Sequence, residues 1–133
     1  MTSEQVALVQ SSFKSVVPIA SKATDLFYDR LFEIAPDVRL LFPADLSGQK
    51  LKLIGMLTTA VNNLHQLDAI LPAVRDLGSR HREYGVTAEH YAPVGAALLW
   101  TLEQGLGTAF TSDVKVAWSE AYSAVAGAMQ IEA

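Results

Sequence analysis

Leu77-Gly78-Ser79-Arg80-His81-Arg82-Glu83-Tyr84-Gly85, continued by Val86-Thr87-Ala88-Glu89-His90-Tyr91, is the stretch on which the reading of the chain turns. As a helix it places Val74, Leu77 and His81 at i, i+3 and i+7, on one apolar face. Arg75, Asp76, Ser79, Arg80, Arg82 and Glu83 take the remaining positions and can face water. Gly85 offers the positive-φ residue that ends such a helix. An imidazole on the dry side of an otherwise polar helix is ordinarily a hydrogen-bonded core histidine. It is also a common metal ligand, and one alone can hold a haem iron from its proximal side.

Composition narrows the choice. The chain has 133 residues, half of them hydrophobic, which suits one domain with a real core rather than disorder. A net charge of −4 and a pI of about 5.2 leave no electrostatic footprint for nucleic acid. Cysteine is absent, so thiolate catalysis, iron–sulfur clusters and disulfides drop out, and a reducing cytoplasm is the expected location. The Met1-Thr2-Ser3-Glu4-Gln5 start has neither a basic nor an apolar signal region, and no apolar run is long enough for a membrane span. With three histidines (His65, His81 and His90), a multi-histidine cage would need nearly all of them.

Outward from His81, every segment reads as helix. Thr2 and Gln5 form a capping box for a first helix carrying Val6, Val9 and Phe13. A second helix is expected from about Pro18 to Ile34. One stripe on it holds Ile19, Ala23, Leu26, Phe27, Leu31 and Ile34, and a second holds Tyr28, Phe32 and Ala35. Two apolar faces mean packing between elements or lining a cavity. Pro36 opens a short helical turn to Phe42, which is extended because Pro43 follows. A third long helix is expected from near Ser47 to about His65, with Gln49, Leu53, Met56 or Leu57, and Ala60 on one face. Asp68 is expected to cap the segment carrying His81, and Pro72 to kink or restart it. Thr87 caps a turn, Pro93 opens an apolar helix ended by Gly105 and Gly107, and Thr111 caps a last helix. The buried stripe of that helix is Val114, Trp118, Ala121, Tyr122, Val125 and Met129. The sum is an all-α domain over residues 1–133 with roughly six to eight helices, some very short.

Common enzyme templates fail. There is no Gly-x-Gly-x-x-Gly, P-loop or HExxH, and no serine stands in a nucleophile elbow.

Five blocks in order carry a resemblance: Phe27-Tyr28-Asp29-Arg30-Leu31-Phe32; Pro36-Asp37-Val38-Arg39-Leu40-Leu41-Phe42; Gln49-Lys50-Leu51-Lys52-Leu53; His81-Arg82-Glu83-Tyr84-Gly85-Val86; and His90-Tyr91-Ala92-Pro93-Val94-Gly95. Together they resemble the globins, most nearly the single-domain bacterial haemoglobins of the Vitreoscilla and methanotroph type and the globin module of flavohaemoglobins. The resemblance implies the globin fold, a three-over-three helical sandwich enclosing haem b and its iron. It makes His81 the proximal ligand and Phe42 the phenylalanine on the haem face. Tyr28 and Gln49 become the distal polar pair that stabilises bound dioxygen, Leu53 the residue that crowds the gas, and Tyr91 a proximal tyrosine. Phe32 helps to keep water from the pocket, and Lys52, Arg80 and Arg39 become partners for the haem carboxylates. Taken singly, Phe42 reads as core, Tyr28 as a structural tyrosine, Gln49 as a solvated first-turn residue, and His65 and His90 as surface or near-surface residues.

The function implied is reversible binding of dioxygen, with carbon monoxide and nitric oxide as further ligands. Nitric oxide dioxygenation is the enzymatic alternative and would need a separate reductase. A gas-sensing or interaction module is the third reading. One departure stands out: the flavohaemoglobin group carries a last-helix glutamate that joins the proximal histidine and tyrosine, and Glu132 falls about one residue out of step with it.

Overall fold

The computed structural model describes residues 1–130, so Glu132 lies outside the described residues. Six α-helices span Ser3–Val16 (α1), Ala20–Ile34 (α2), Ser47–Asn62 (α3), Leu71–Glu83 (α4), Tyr91–Leu106 (α5) and Ser112–Met129 (α6), and no strand occurs among the described residues. Short 3₁₀ turns join them.

The ends follow local chemistry. Thr2 and Gln5 close the capping box of α1, the Gln5 amide donating to Thr2 Oγ1 at 3.1 Å and the Thr2 amide donating back to Gln5 Oε1 at 3.0 Å. Pro18 sits in a 3₁₀ turn over Val17–Ile19, so α2 begins at Ala20, later than expected. Its ring suits a first turn but breaks the ladder that would have merged the two helices. Phe42 is extended ahead of Pro43. The α3 helix stops at Asn62, and His65 belongs to a following 3₁₀ segment that is kinked at Gln66. Asp68 lies inside that segment and makes no cap; α4 starts with Pro72 in its first turn. On α5, Gly105 stays within the helix and Gly107, at φ +57°, ends it.

The most extensive contacts join α2 to α5, α1 to α6 and α4 to α6. Val9, Leu31 and Val74 are fully buried, each contributing roughly 1.5–3 kcal/mol of transfer free energy. Ile34, expected on the core stripe of α2, is 40% exposed because the helix has run past its neighbours by its last turn. Polar pins set the register: Gln10 Nε2 donates to Val61 O at 3.0 Å, and Trp118 Nε1 donates to Ser12 Oγ at 2.9 Å.

Candidate functional site

A cavity of about 300 Å³ opens between α2, α3, α4, α5 and α6. Its lining is overwhelmingly apolar, with a few polar groups at chosen points, as in small-molecule sites generally. Among the described residues no group of three or more His, Asp and Glu side chains is placed to cage a metal. Any metal here must rest on fewer protein ligands.

A candidate for such a ligand stands on α4. His81 lines the cavity and its Nδ1 lies 2.8 Å from the carbonyl oxygen of Leu77. A carbonyl can only accept, so Nδ1 carries a proton, and in the neutral ring Nε2 is the nitrogen that keeps its lone pair. The same device orients metal-ligating imidazoles in general. The helix end is built around this residue. Gly85, at φ +97°, donates its amide to Arg82 O at 3.1 Å, and Val86 donates to His81 O at 2.9 Å, the paired bonds of a Schellman cap. Side chain and main chain of His81 are both tied to α4, so the ring can turn little.

The position of α4 is set from the other side. Gly78 faces the Met129 main chain so closely that a Cβ would fall on the Met129 carbonyl oxygen. Arg82 Nη1 donates to the same oxygen at 3.0 Å. The end of α6 therefore positions the helix that bears His81, an arrangement that no spacing in the sequence announces. Tyr122, also on α6, donates its hydroxyl to Tyr91 O at 2.6 Å, and its ring occupies the space that a Cβ on Gly95 would need. Burial pushes the phenols of Tyr91 and Tyr122 upward, in Tyr91 against the opposing charge of Arg82. Both tyrosines line the cavity.

Another wall belongs to α2 and α3. Tyr28 is buried, with its ring edge-on to Phe27 at 5.0 Å and to Phe42 at 5.6 Å. Its hydroxyl donates to the main-chain oxygen of Gln49 at 3.4 Å. That length is at the weak end of the range, so the proton is held but not committed. Burial pushes the phenol up to about 12, which keeps it a neutral donor across ordinary pH. Gln49, Leu53, Met56, Leu57 and Ala60 continue along α3 as one cavity face, as their spacing predicts.

The remaining expected residues divide. Phe42, Lys52, Arg80 and Tyr91 line the cavity. Arg80 also pairs with Asp76 at 3.0 Å, whereas Lys52 forms no ion pair among the described residues. Phe32 is not part of the lining; it packs behind, its ring 5.6 Å from Phe42 and 6.0 Å from Tyr28. Arg39 is turned away from a mouth role. Its guanidinium donates to Phe42 O, Pro43 O and Ala44 O and lies 5.2 Å over the Phe32 ring. His90, expected at or near the surface, is half-buried at the cavity wall, and its Nδ1 accepts from the Thr87 amide at 3.0 Å. Its place at the third position after Thr87, where a capping-box acceptor belongs, was the available signal. Leu98, Trp118, Val125 and Met129 also belong to the lining. They sit on stripes read simply as core, and nothing in helical spacing separates a cavity wall from a packed one.

Comparison with known proteins gives a consistent result. A family model described as Globin matches residues 25–129. A flavohemoprotein of Bacillus subtilis is 36% identical over 124 residues, covering 86% of this chain and 31% of its own. Flavohemoproteins of Bacillus thuringiensis and Bacillus anthracis are each 34% identical over 128 residues, covering 90% of this chain and 31% of theirs. The chain thus spans about a third of the length of the curated relatives it matches.

Proposed function

This chain belongs to the globin family, and from that membership we propose that it is a haem protein that reversibly holds dioxygen and other diatomic gases. The observation that carries the reading is the His81 ring. It lines an apolar cavity with Nδ1 bound to Leu77 O and Nε2 left as a lone pair, while α2 and α3 bring Tyr28 and Gln49 to the same cavity.

The residues present fit a haem of the b type. The lining is apolar enough to take a large planar macrocycle, and one nitrogen is pre-set to ligate its iron. Lys52 and Arg80 suit its carboxylates at the edge. When bound, the haem supplies an iron with one coordination position open to a gas. The protein does the rest. His81 would hold the iron through Nε2. Leu53, Leu57 and Phe42 exclude water, whose entry would favour oxidation. Tyr28 Oη and the Gln49 amide offer protons to a gas that gathers negative charge, a preorganised electrostatic stabilisation. Tyr28 must exchange its long bond to Gln49 O for one to the gas, at little cost given the 3.4 Å starting length.

A second reading is supported by the relatives, whose name joins a flavin to a haem. With electrons from a reductase, the same site would convert nitric oxide and dioxygen to nitrate. Absorption spectra of the ferric, ferrous and carbonmonoxy forms test haem binding. Multiple-turnover nitric oxide consumption with a reductase supplied separates the two readings; sustained turnover would displace simple gas storage as the main role.

A further inference from the structure

The first turn of α3 carries Ser47, Gly48, Gln49 and Lys50, with no acid and one lysine. A helix N-terminus is the positive end of the macrodipole, so a lysine there is unfavourable by itself. Its partner lies on another helix: Lys50 Nζ is 2.6 Å from Asp25 Oδ1 of α2. Asp25 stands one turn before Tyr28, and Lys50 directly follows Gln49. Two cross-links therefore run side by side from α2 to α3, Asp25 to Lys50 and Tyr28 Oη to Gln49 O. The second is weak and runs from the Tyr28 hydroxyl to the main chain of Gln49, the residue whose side-chain amide is the other donor of the gas-binding reading.

The segment ahead of this turn is held by other means. Arg39 grips three successive carbonyls, from Phe42 to Ala44. Asp45 Oδ1 accepts from the Ser47 amide at 3.0 Å and from its hydroxyl at 2.8 Å, and these bonds hold the Asp45 carboxyl below the usual range. The Arg39 guanidinium also lies over the Phe32 ring of α2, 5.2 Å from its centroid, which anchors the loop before α3, whereas the Asp45 bonds stay within that loop. Among the described residues, Asp25–Lys50 and the long Tyr28 bond are the hydrogen bonds that tie the first turn of α3 itself to α2.

We propose that Asp25 and Lys50 are positioning residues that latch the start of α3 against α2 and so hold Gln49 beside Tyr28. With the latch closed, both donors address one gas molecule. With it open, the first turn of α3 moves off and dioxygen is retained less well, while carbon monoxide, which gathers little charge, is affected less. The inference rests on the gas-binding reading above. The pair is partly exposed, 32% for Lys50 and 58% for Asp25, so its strength is that of a surface ion pair and its effect on a rate is about two- to fivefold.

The test uses the haem-loaded full chain: wild type, Asp25→Asn, Lys50→Gln and the exchange Asp25→Lys/Lys50→Asp. Stopped-flow dissociation of dioxygen and of carbon monoxide is followed at low and high salt. Each single variant is expected to speed dioxygen loss about two- to fivefold and carbon monoxide loss less. High salt should bring wild type towards the singles, and the exchange should restore slow loss at low salt. Unchanged dioxygen rates in the singles, equal changes for both gases, or no rescue by the exchange would each overturn the latch. A helix-stability effect alone predicts the opposite sign for Lys50→Gln, because removing a cation from the first turn favours the helix. Hydrogen exchange of residues 47–50 in haem-free protein gives an independent readout: faster exchange in the singles, and not in the exchanged pair, supports the latch, and unchanged exchange counts against it. If wild type takes up no haem, the gas-binding reading fails by itself and the exchange measurement still decides whether the latch exists.

Discussion

The Nδ1 of His81 and the carbonyl oxygen of Leu77 stand 2.8 Å apart, one helical turn along α4. That single contact makes His81 a ligand-ready imidazole rather than a free-turning one. It settles the tautomer by elimination and restricts the ring on the side away from the cavity.

If His81 is the iron ligand, His81→Gly should leave a protein that loses haem readily and regains a five-coordinate ferrous spectrum on adding imidazole. Resonance Raman of the deoxy form checks this through the iron–histidine stretch. An unaltered stretch in the variant would remove His81 from the role.

Tyr28 and Gln49 are expected to act as one unit. A hydrogen bond to a charged acceptor contributes about 1.5–3 kcal/mol, so Tyr28→Phe or Gln49→Leu should speed dioxygen loss roughly ten- to a hundredfold. Carbon monoxide loss should change far less, and the double variant should fall short of the product of the singles. Stopped-flow rates for both gases measure it; equal changes would mean steric gating.

The pH dependence follows from burial. Unfolded tyrosine releases its proton near pH 10, whereas Tyr28 in the fold keeps it to about 12, and Tyr122 shifts in the same direction. Above pH 10 the unfolded chain binds fewer protons than the folded one, so stability falls as pH rises. The part due to these phenols should be fully present below pH 10 and decline from 10 through 12. Urea unfolding of the haem-free protein at stepped pH would show it, with Tyr28→Phe flattening the decline.

Three glycines give a graded packing test. Gly78→Ala sets a methyl on the Met129 main chain, which cannot step aside, and should cost about 1–3 kcal/mol while shifting the iron–histidine stretch. Gly95→Ala meets the Tyr122 ring at 2.8 Å, and a side chain can yield, so the loss should be smaller. Gly55→Ala, in open space on α3, should stabilise by about 0.4–1 kcal/mol. Chemical denaturation of the three variants orders them; a Gly78→Ala protein as stable as Gly55→Ala would refute the close crossing of α4 and α6.

Much of this was legible in the residues. Thr2 with Gln5, Thr111, Gly85 and the Phe42-Pro43 step each mark a helix end through chemistry confined to a few neighbours, and the structure has each where expected. The His81 face and the Gln49-to-Ala60 stripe follow from the 3.6-residue period alone. Where expectations failed, a distant neighbour decided. Ile34 has stripe spacing but nothing to pack on. Arg39 could serve a carboxylate, but three carbonyls of the adjoining loop claim its guanidinium first.

The sequence by itself determined the all-α class and the helix that presents an imidazole on its dry face, because these depend on periodicity and on caps within a turn; the pairing of Tyr28 with Gln49 was implied only by the resemblance to the globins. Tertiary structure alone decided that α6 positions the His81 helix through Gly78, Arg82 and Met129, that Tyr122 and Trp118 are cavity walls, and that Asp25 meets Lys50. Those contacts join residues from 25 to 51 positions apart or more, and their geometry is set by how whole helices cross, which no local pattern encodes.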